Sequence, residues 1–179
     1  MLLHYKMEGK NKKAQGGAFG MSFGVLFSIF LIIFILVVAG IAINYFLNLK
    51  KCAQVGMFID DLQTDVDKAW NSQKFTDNVN YILPGNIEYV CFANLTNGLI
   101  GGGEIESKVY SDISIYQHAN ANMFFYPREN ACEMPYVNIN HINIEKITQS
   151  INPYCFKVDG GKITINIDKG FNEALVTLK

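Results

Sequence analysis

The fold is decided by residues 19–49, which read FGMSFGVLFSIFLIIFILVVAGIAINYFLNL. This stretch contains no charged residue and is rich in Ile, Leu, Phe and Val. A helix needs roughly 20 apolar residues to cross the hydrocarbon core of a bilayer, so the run is long enough to span one. The apolar part of a cleaved secretory signal is only about 7–15 residues long and ends at a small-residue cleavage site. The length therefore favours a permanent transmembrane helix over residues 18–49.

Basic residues on the two sides of this helix indicate its orientation. The leader, residues 1–17, contains four lysines and one acid, whereas only two lysines follow the helix before a group of aspartates. Lys and Arg concentrate on the cytoplasmic side of membrane helices. The sequence therefore predicts a single-pass protein of the cell membrane, with a cytoplasmic amino terminus and its large domain outside. The net charge of −1 provides no basic field for nucleic acid.

The cysteines agree with this orientation, because all of them follow the helix: Cys52, Cys91, Cys132 and Cys155. They are widely spaced, without the Cys-x-x-Cys pairs typical of zinc sites. Two disulfide bonds in an oxidising compartment are the favoured interpretation, with all three connectivities open. The only glycosylation sequon, Asn94-Leu95-Thr96, is consistent with the same location.

The helix is expected to continue beyond the membrane as an amphipathic segment over residues 50–72. Apolar residues recur there at spacings of three and four, which places them on one helical face. They are Val55, Phe58, Ile59, Leu62, Val66, Ala69 and Trp70. No proline interrupts residues 22–70, although a break near residues 50–56 would give two helices instead.

Residues 73–179 predict a β-rich domain. Strands are expected at 87–93, at 122–126 and, with a bend or bulge, at 136–144. The sequence Asp159-Gly160-Gly161 supplies turn chemistry for a hairpin of 155–158 with 162–167. A short last strand is expected at 174–178, and helical turns near 105–115 and 145–150. The predicted fold class is α+β, with the long N-terminal helix packed on an antiparallel β-sheet domain.

Nothing in the chain indicates a reaction. Gly101-Gly102-Gly103 leads into Glu104 and not into the Lys-Ser/Thr of a phosphate loop. His118 and His141 lack the helical spacing of metal ligands. The candidate serines Ser107, Ser111 and Ser114 lie in no Gly-x-Ser-x-Gly elbow. We therefore expect no enzyme activity, catalytic residue, metal site or cofactor.

The junction between the leader and the helix carries a further motif, Lys12-Lys13-Ala14-Gln15. A basic leader, this tetrapeptide, a long apolar helix that turns amphipathic and a disulfide-containing β-rich domain together resemble type IV pilins and archaeal pilin-like proteins with class III-like signal peptides. The resemblance implies that a prepilin peptidase cuts between Ala14 and Gln15. Met7 is an alternative start, which would give a leader as short as those of that family.

The same resemblance implies a structural subunit that assembles through its hydrophobic helix, with copies of itself or with other pilin-like subunits, into an extracellular filament. The helix assembly face would consist of Phe23, Phe27, Phe30 and Phe34. The fifth residue after the implied cut is Phe19, where many pilins carry Glu. The alternative is therefore a single-pass, membrane-anchored envelope module that binds or scaffolds an unknown ligand and forms no filament.

Overall fold

The computed structural model describes residues 23–179, so the leader and the sequence around Ala14 and Gln15 lie outside the described residues. The protein is α+β, with one long N-terminal helix followed by two antiparallel sheets. The helices are α1 (Phe23–Trp70), α2 (Glu104–Ile113) and α3 (Ile144–Ile147). The strands are β1 (Phe75–Ile82), β2 (Tyr89–Phe92), β3 (Met123–Tyr126), β4 (Tyr136–Val137), β5 (Tyr154–Lys157), β6 (Lys162–Lys169) and β7 (Thr177–Leu178). Phe46–Lys179 form one compact unit.

The carboxyl half of α1 is the amphipathic segment that its sequence predicts, and it runs through residues 50–56 without a break. Its buried residues are spaced three or four apart and are Val55, Phe58, Leu62, Val66 and Ala69. The Phe58 ring meets Tyr81 of β1 edge-on at 5.3 Å and Phe125 of β3 at 5.8 Å. One helix stripe therefore packs against strands of both sheets.

The two sheets have the strand orders β1-β6-β7 and β4-β3-β2-β5. In the first, β1 and β6 pair without interruption from Phe75 opposite Lys169 to Ile82 opposite Lys162. In the second, alternate residues face opposite ways, as the pleat requires. Phe125 joins the core beneath α1, whereas Phe124 joins a second core with Val109 of α2. Both faces of the second sheet are therefore covered.

The structure corrects the pairing of the expected hairpin and the length of the expected strand at 136–144, and it adds a strand. The hairpin of 155–158 with 162–167 is wrong, because β5 pairs with β2 while β6 pairs with β1 and β7. The turn itself exists, with Gly160 and Gly161 at φ of 55° and 76°, but it carries the chain from one sheet to the other. Only Tyr136–Val137 of the expected strand 136–144 pairs. Strand β1 had no prediction at all.

Two disulfide bonds join the cysteines. Cys52 of α1 bonds Cys132, which follows a 3₁₀ turn after β3, with the two Cα atoms 5.7 Å apart. Cys91 and Cys155 lie directly opposite each other on β2 and β5, with the two Cα atoms 4.0 Å apart. One bond therefore fastens α1 to the second sheet's connecting loop, and the other joins two strands within that sheet.

The carboxyl end of α1 is held by a lysine from β6. The last carbonyls of a helix have no partner within it and need donors from elsewhere. Lys169, which is 9% exposed, donates from Nζ to the carbonyl oxygens of Trp70 at 2.5 Å and Ser72 at 2.8 Å. A single side chain thus fixes where α1 ends against the first sheet.

Replacing this lysine tests that contact. We expect Lys169→Met to lower the free energy of unfolding by about 1–3 kcal/mol, because two carbonyls at the helix end lose their donor. Lys162→Met is the matched control, since Lys162 lies exposed at the other end of the same strand and its replacement should change stability by less than about 0.5 kcal/mol. Urea unfolding of the full chain in detergent measures both. Equal effects of the two variants would contradict the capping role.

Candidate functional site

The most distinctive surface of the protein is the amino half of α1. Its most apolar 18-residue stretch has a mean hydropathy of 3.2, and none of it is buried within the protein. The helix is therefore long and apolar enough to cross a membrane once. The hydroxyl of Ser28, a polar group in this stretch, donates to the carbonyl of Gly24 at 2.8 Å. That local bond satisfies the hydroxyl without water.

The four phenylalanines of the expected assembly face lie in this exposed part of α1. Phe23, Phe27, Phe30 and Phe34 are 83%, 54%, 72% and 65% exposed. At 100° per residue, their spacings of four, three and four place them along one side of the helix. The Phe23 and Phe27 rings stack with centroids 6.3 Å apart. The four rings thus form a continuous aromatic stripe. No other part of residues 23–179 covers it.

A tyrosine and an aspartate fix α1 to the first sheet at the level of Phe58. The Tyr81 hydroxyl donates to Asp65 Oδ2 at 2.9 Å. Burial, and then the bond to Asp65, raises the pKa of Tyr81 well above its ordinary value; Asp61 and Asp77 act in the same direction. The tyrosine is thereby kept neutral, so that it remains a donor to a helix rich in carboxylates.

A second polar contact, which sequence reasoning missed, lies near the end of α1. His141 adopts a positive φ of 64°, and its Nδ1 lies 2.9 Å from Asp67 Oδ1. The imidazole stacks on Trp70 with centroids 3.8 Å apart and planes 2° apart. Gln63 extends the group, since its Nε2 donates to Asp67 and its Oε1 accepts from the Asn140 amide. The cluster clamps the loop before α3 onto α1.

Among the remaining candidates for chemistry, Ser111 lines an open hollow of about 480 Å³ together with Asp112 and Glu129. His118 is exposed, and Asp112 pairs with Arg128 at 3.3 Å. Ser107 and Ser114 donate to carbonyls within or beside α2. Within residues 23–179, no group of three or more His, Cys, Asp or Glu side chains could hold a metal ion.

The glycine triplet has a structural place at the start of α2. Gly101 and Gly102 have φ of 56° and 80°, a region that favours glycine. A Cβ on Gly101 would come within 2.6 Å of the Ser150 carbonyl oxygen. Gly103 caps α2 and its amide donates to Glu106 Oε2 at 2.6 Å. The carboxylate thus occupies the helix start.

The sequon residue Asn94 is half-buried and lies between β2 and α2. It caps a 3₁₀ turn, Leu95–Asn97, and its Oδ1 accepts from the backbone amide of Thr96.

Comparison of the chain with protein-family models, with curated proteins and with solved structures gives no match.

The Tyr81–Asp65 contact predicts a pH dependence. Because the pKa is raised in the folded state, the unfolded chain loses the Tyr81 proton first as the pH rises above about 10. The contribution of the protonated Tyr81 to the free energy of unfolding is therefore fully present below pH ~10. It falls above that pH, by up to about 1.4 kcal/mol per pH unit. We expect Tyr81→Phe to remove that part of the slope between pH 10 and 11.5.

Urea unfolding of the full chain in detergent, with its disulfides intact, measures the slope for both proteins. Ile82→Leu is the control, because it replaces an exposed, non-titrating residue at the end of the same strand and should leave the slope unchanged. Parallel curves for the native protein and Tyr81→Phe would contradict the prediction.

Proposed function

We propose that this protein is a membrane-anchored, pilin-like structural subunit that assembles through its hydrophobic helix, with the amino terminus in the cytoplasm and the Phe46–Lys179 unit outside. The observation that carries the proposal is the change of character along α1. Residues 23–49 are uncharged, mostly apolar and exposed all round, whereas from Val55 onward the same helix has one buried stripe under two sheets. A helix apolar on every side needs a lipid or protein environment.

The disulfides support the proposed orientation. Both bonds lie in the part of the chain that follows the apolar stretch, and disulfides persist in oxidising compartments. The excess of lysines before the helix favours the same direction. An outer domain fastened in this way is suited to exposure on a cell surface.

Assembly would use the exposed aromatic stripe. In lipid, helices gain little from the hydrophobic effect when they associate, so van der Waals packing and close approach decide the contact. Phe23, Phe27, Phe30 and Phe34 offer large, exposed apolar rings on one side of the helix for such a contact. The helix therefore serves as anchor in the membrane and as packing surface in an assembly.

The processing step is tested by the mass of the mature protein isolated from its native membrane. Cleavage by a prepilin-type peptidase predicts a chain that begins at Gln15, because the cut would follow Ala14. Replacing both Lys12 and Lys13 with Gln should leave the leader uncut, whereas the same change at Lys50 and Lys51 should not affect cleavage. A native protein that still carries Lys12 and Lys13 would contradict prepilin-type processing.

The assembly face is tested by paired alanine substitutions. Phe27→Ala with Phe34→Ala removes two rings from the stripe, and we expect several-fold fewer filaments on cells in electron micrographs. Ile32→Ala with Leu36→Ala is the matched control, because these residues lie on the opposite side of the helix and are also exposed. Equal losses for the two pairs, at equal protein levels in the membrane, would contradict a specific face.

One observation favours a second candidate, an anchored envelope module that forms no filament. The fifth residue after the implied cut is Phe19 and not Glu. Cross-linking in native membranes separates the two: a ladder of oligomers through residues 23–34 supports the subunit, and monomer alone supports the module.

A further inference from the structure

We infer that Asn94 is the attachment site of an N-linked glycan. The inference rests on the proposed orientation, because a sugar can reach this residue only if the domain lies outside the cytoplasm. The sequon Asn94-Leu95-Thr96 occurs once in the chain, and such a sequence accepts a glycan only at the surface of an exported domain. The structure adds the hydrogen bonds that the amide oxygen and the amide nitrogen of Asn94 make.

The two ends of the Asn94 side chain have different tasks. Oδ1 accepts from the Thr96 amide at 3.1 Å and from the Thr96 hydroxyl at 2.6 Å, so it is fully used in holding the 3₁₀ turn. Nδ2 has no hydrogen bond to any described residue and is not among the buried polar atoms without a partner. The nitrogen that a glycosylation would use is therefore the end of the amide that the fold leaves available.

The modification is compatible with the folded state. A membrane-bound transferase joins Nδ2 to the anomeric carbon of a sugar carried on a polyprenyl phosphate or diphosphate. The bond from that carbon to the phosphate oxygen breaks as the new carbon–nitrogen bond forms, the lipid phosphate leaves with the electron pair, and one Nδ2 proton is lost. The product is still an amide with its carbonyl oxygen in place. Both bonds to Thr96 survive.

The surroundings of Asn94 suit a sugar. A hollow of about 230 Å³ opens beside it, smaller than the roughly 300–1,000 Å³ of pockets for drug-sized ligands. Amide side chains from two other segments line it, at Gln117, Asn120 and Asn138. None of the described residues that line it is charged. Neutral donors and acceptors of this kind match the hydroxyl and acetamido groups of a first sugar residue.

The backbone of Asn94 is held in place by a residue 58 positions further along the chain. Asn152, which is 0% exposed, accepts from the Asn94 amide at 3.0 Å and donates to the Asn94 carbonyl at 2.7 Å. Leu95, the middle residue of the sequon, is buried in the core beneath α2. The sequon is thus fixed with its ends anchored, and a glycan would leave from a rigid point.

The test is mass spectrometry of the full protein from its native membrane. After reduction and alkylation of the Cys91–Cys155 bond, trypsin should release residues 75–108 as one peptide, since Lys74 and Lys108 flank a stretch without Lys or Arg. We expect most copies of this peptide to carry a whole number of sugar residues, located on Asn94 by fragmentation. Unmodified peptide alone, or sugar on another residue, would overturn the inference.

Three variants separate the glycan from the fold. Asn94→Asp keeps an oxygen acceptor for Thr96 but has no amide nitrogen, so the sugar should be lost while the domain stays folded. Thr96→Ser keeps the sequon and the hydroxyl and should retain the sugar, whereas Thr96→Ala should lose it. A mass increase that persists in Asn94→Asp would show that the modification lies elsewhere.

Labelling of intact cells with a membrane-impermeant thiol reagent after reduction distinguishes this inference from the proposed function. Labelled protein without sugar on Asn94 overturns the inference and leaves the proposed orientation standing. Protein that is not labelled until the membrane is opened overturns the proposed orientation and the inference with it.

Discussion

The packing of one stripe of α1 against both sheets is the interaction on which the rest of the domain depends. Val55, Leu62, Val66 and Ala69 have no exposed surface, and Phe58 touches an aromatic ring from each sheet. The sheets share no strand. The buried stripe of α1 therefore packs against the inner faces of both sheets. Burial of large apolar side chains contributes about 1.5–3 kcal/mol for each. Removing this stripe would expose the cores of both sheets together.

The other long-range contacts of α1 act on a helix that this packing already holds. Cys52 fixes α1 near the beginning of the buried stripe, and Lys169 fixes its end. Between them, Tyr81 bonds Asp65 and His141 contacts Asp67. The polar contacts come from different segments of the domain: Tyr81 and His141 reach aspartate side chains of α1, and Lys169 reaches backbone carbonyls at its end. The stripe sets the distance between helix and sheets, and the polar contacts set the register.

The sequence predicts the helix well, because length and period are local properties that a single segment displays. Of the predicted face, which follows the 3.6-residue repeat, the structure buries Val55, Phe58, Leu62, Val66 and Ala69. Ile59 is only partly buried and Trp70 is 38% exposed. Strand β1 was missed for the same reason: Thr76, Asn78 and Asn80 bond side chains of β6 on the exposed face. On the other face Asp77 interrupts the apolar series of Phe75, Val79 and Tyr81, which weakens the alternation by which a strand is recognised.

Pairing between distant segments is what the sequence left undetermined. The turn at Gly160-Gly161 was predicted correctly from its glycines, but the partners of the flanking strands were not, since a tight turn constrains only its own four residues. The disulfide pairing has the same character, because Cys91 meets Cys155 only after β2 and β5 have paired. The contact of His141 with Asp67 joins residues 74 positions apart and leaves no local signal.

The amino half of α1 is exposed, whereas its carboxyl half buries one stripe in the domain. This difference explains why the amino half needs lipid or another protein around it. Among residues 23–179, no buried core residue precedes Val55, so the apolar stretch adds nothing to the stability of the domain. Its exposed side chains would instead cost free energy in water at about 25 cal/mol for each Å² of apolar surface. Lipid removes this cost equally from every side of the helix, whereas a neighbouring helix removes it from one side and rewards close fit. Four exposed phenylalanines, Phe23, Phe27, Phe30 and Phe34, lie on one side of the helix, so under the proposed assembly this side gains from a neighbouring helix after the stretch has entered the membrane.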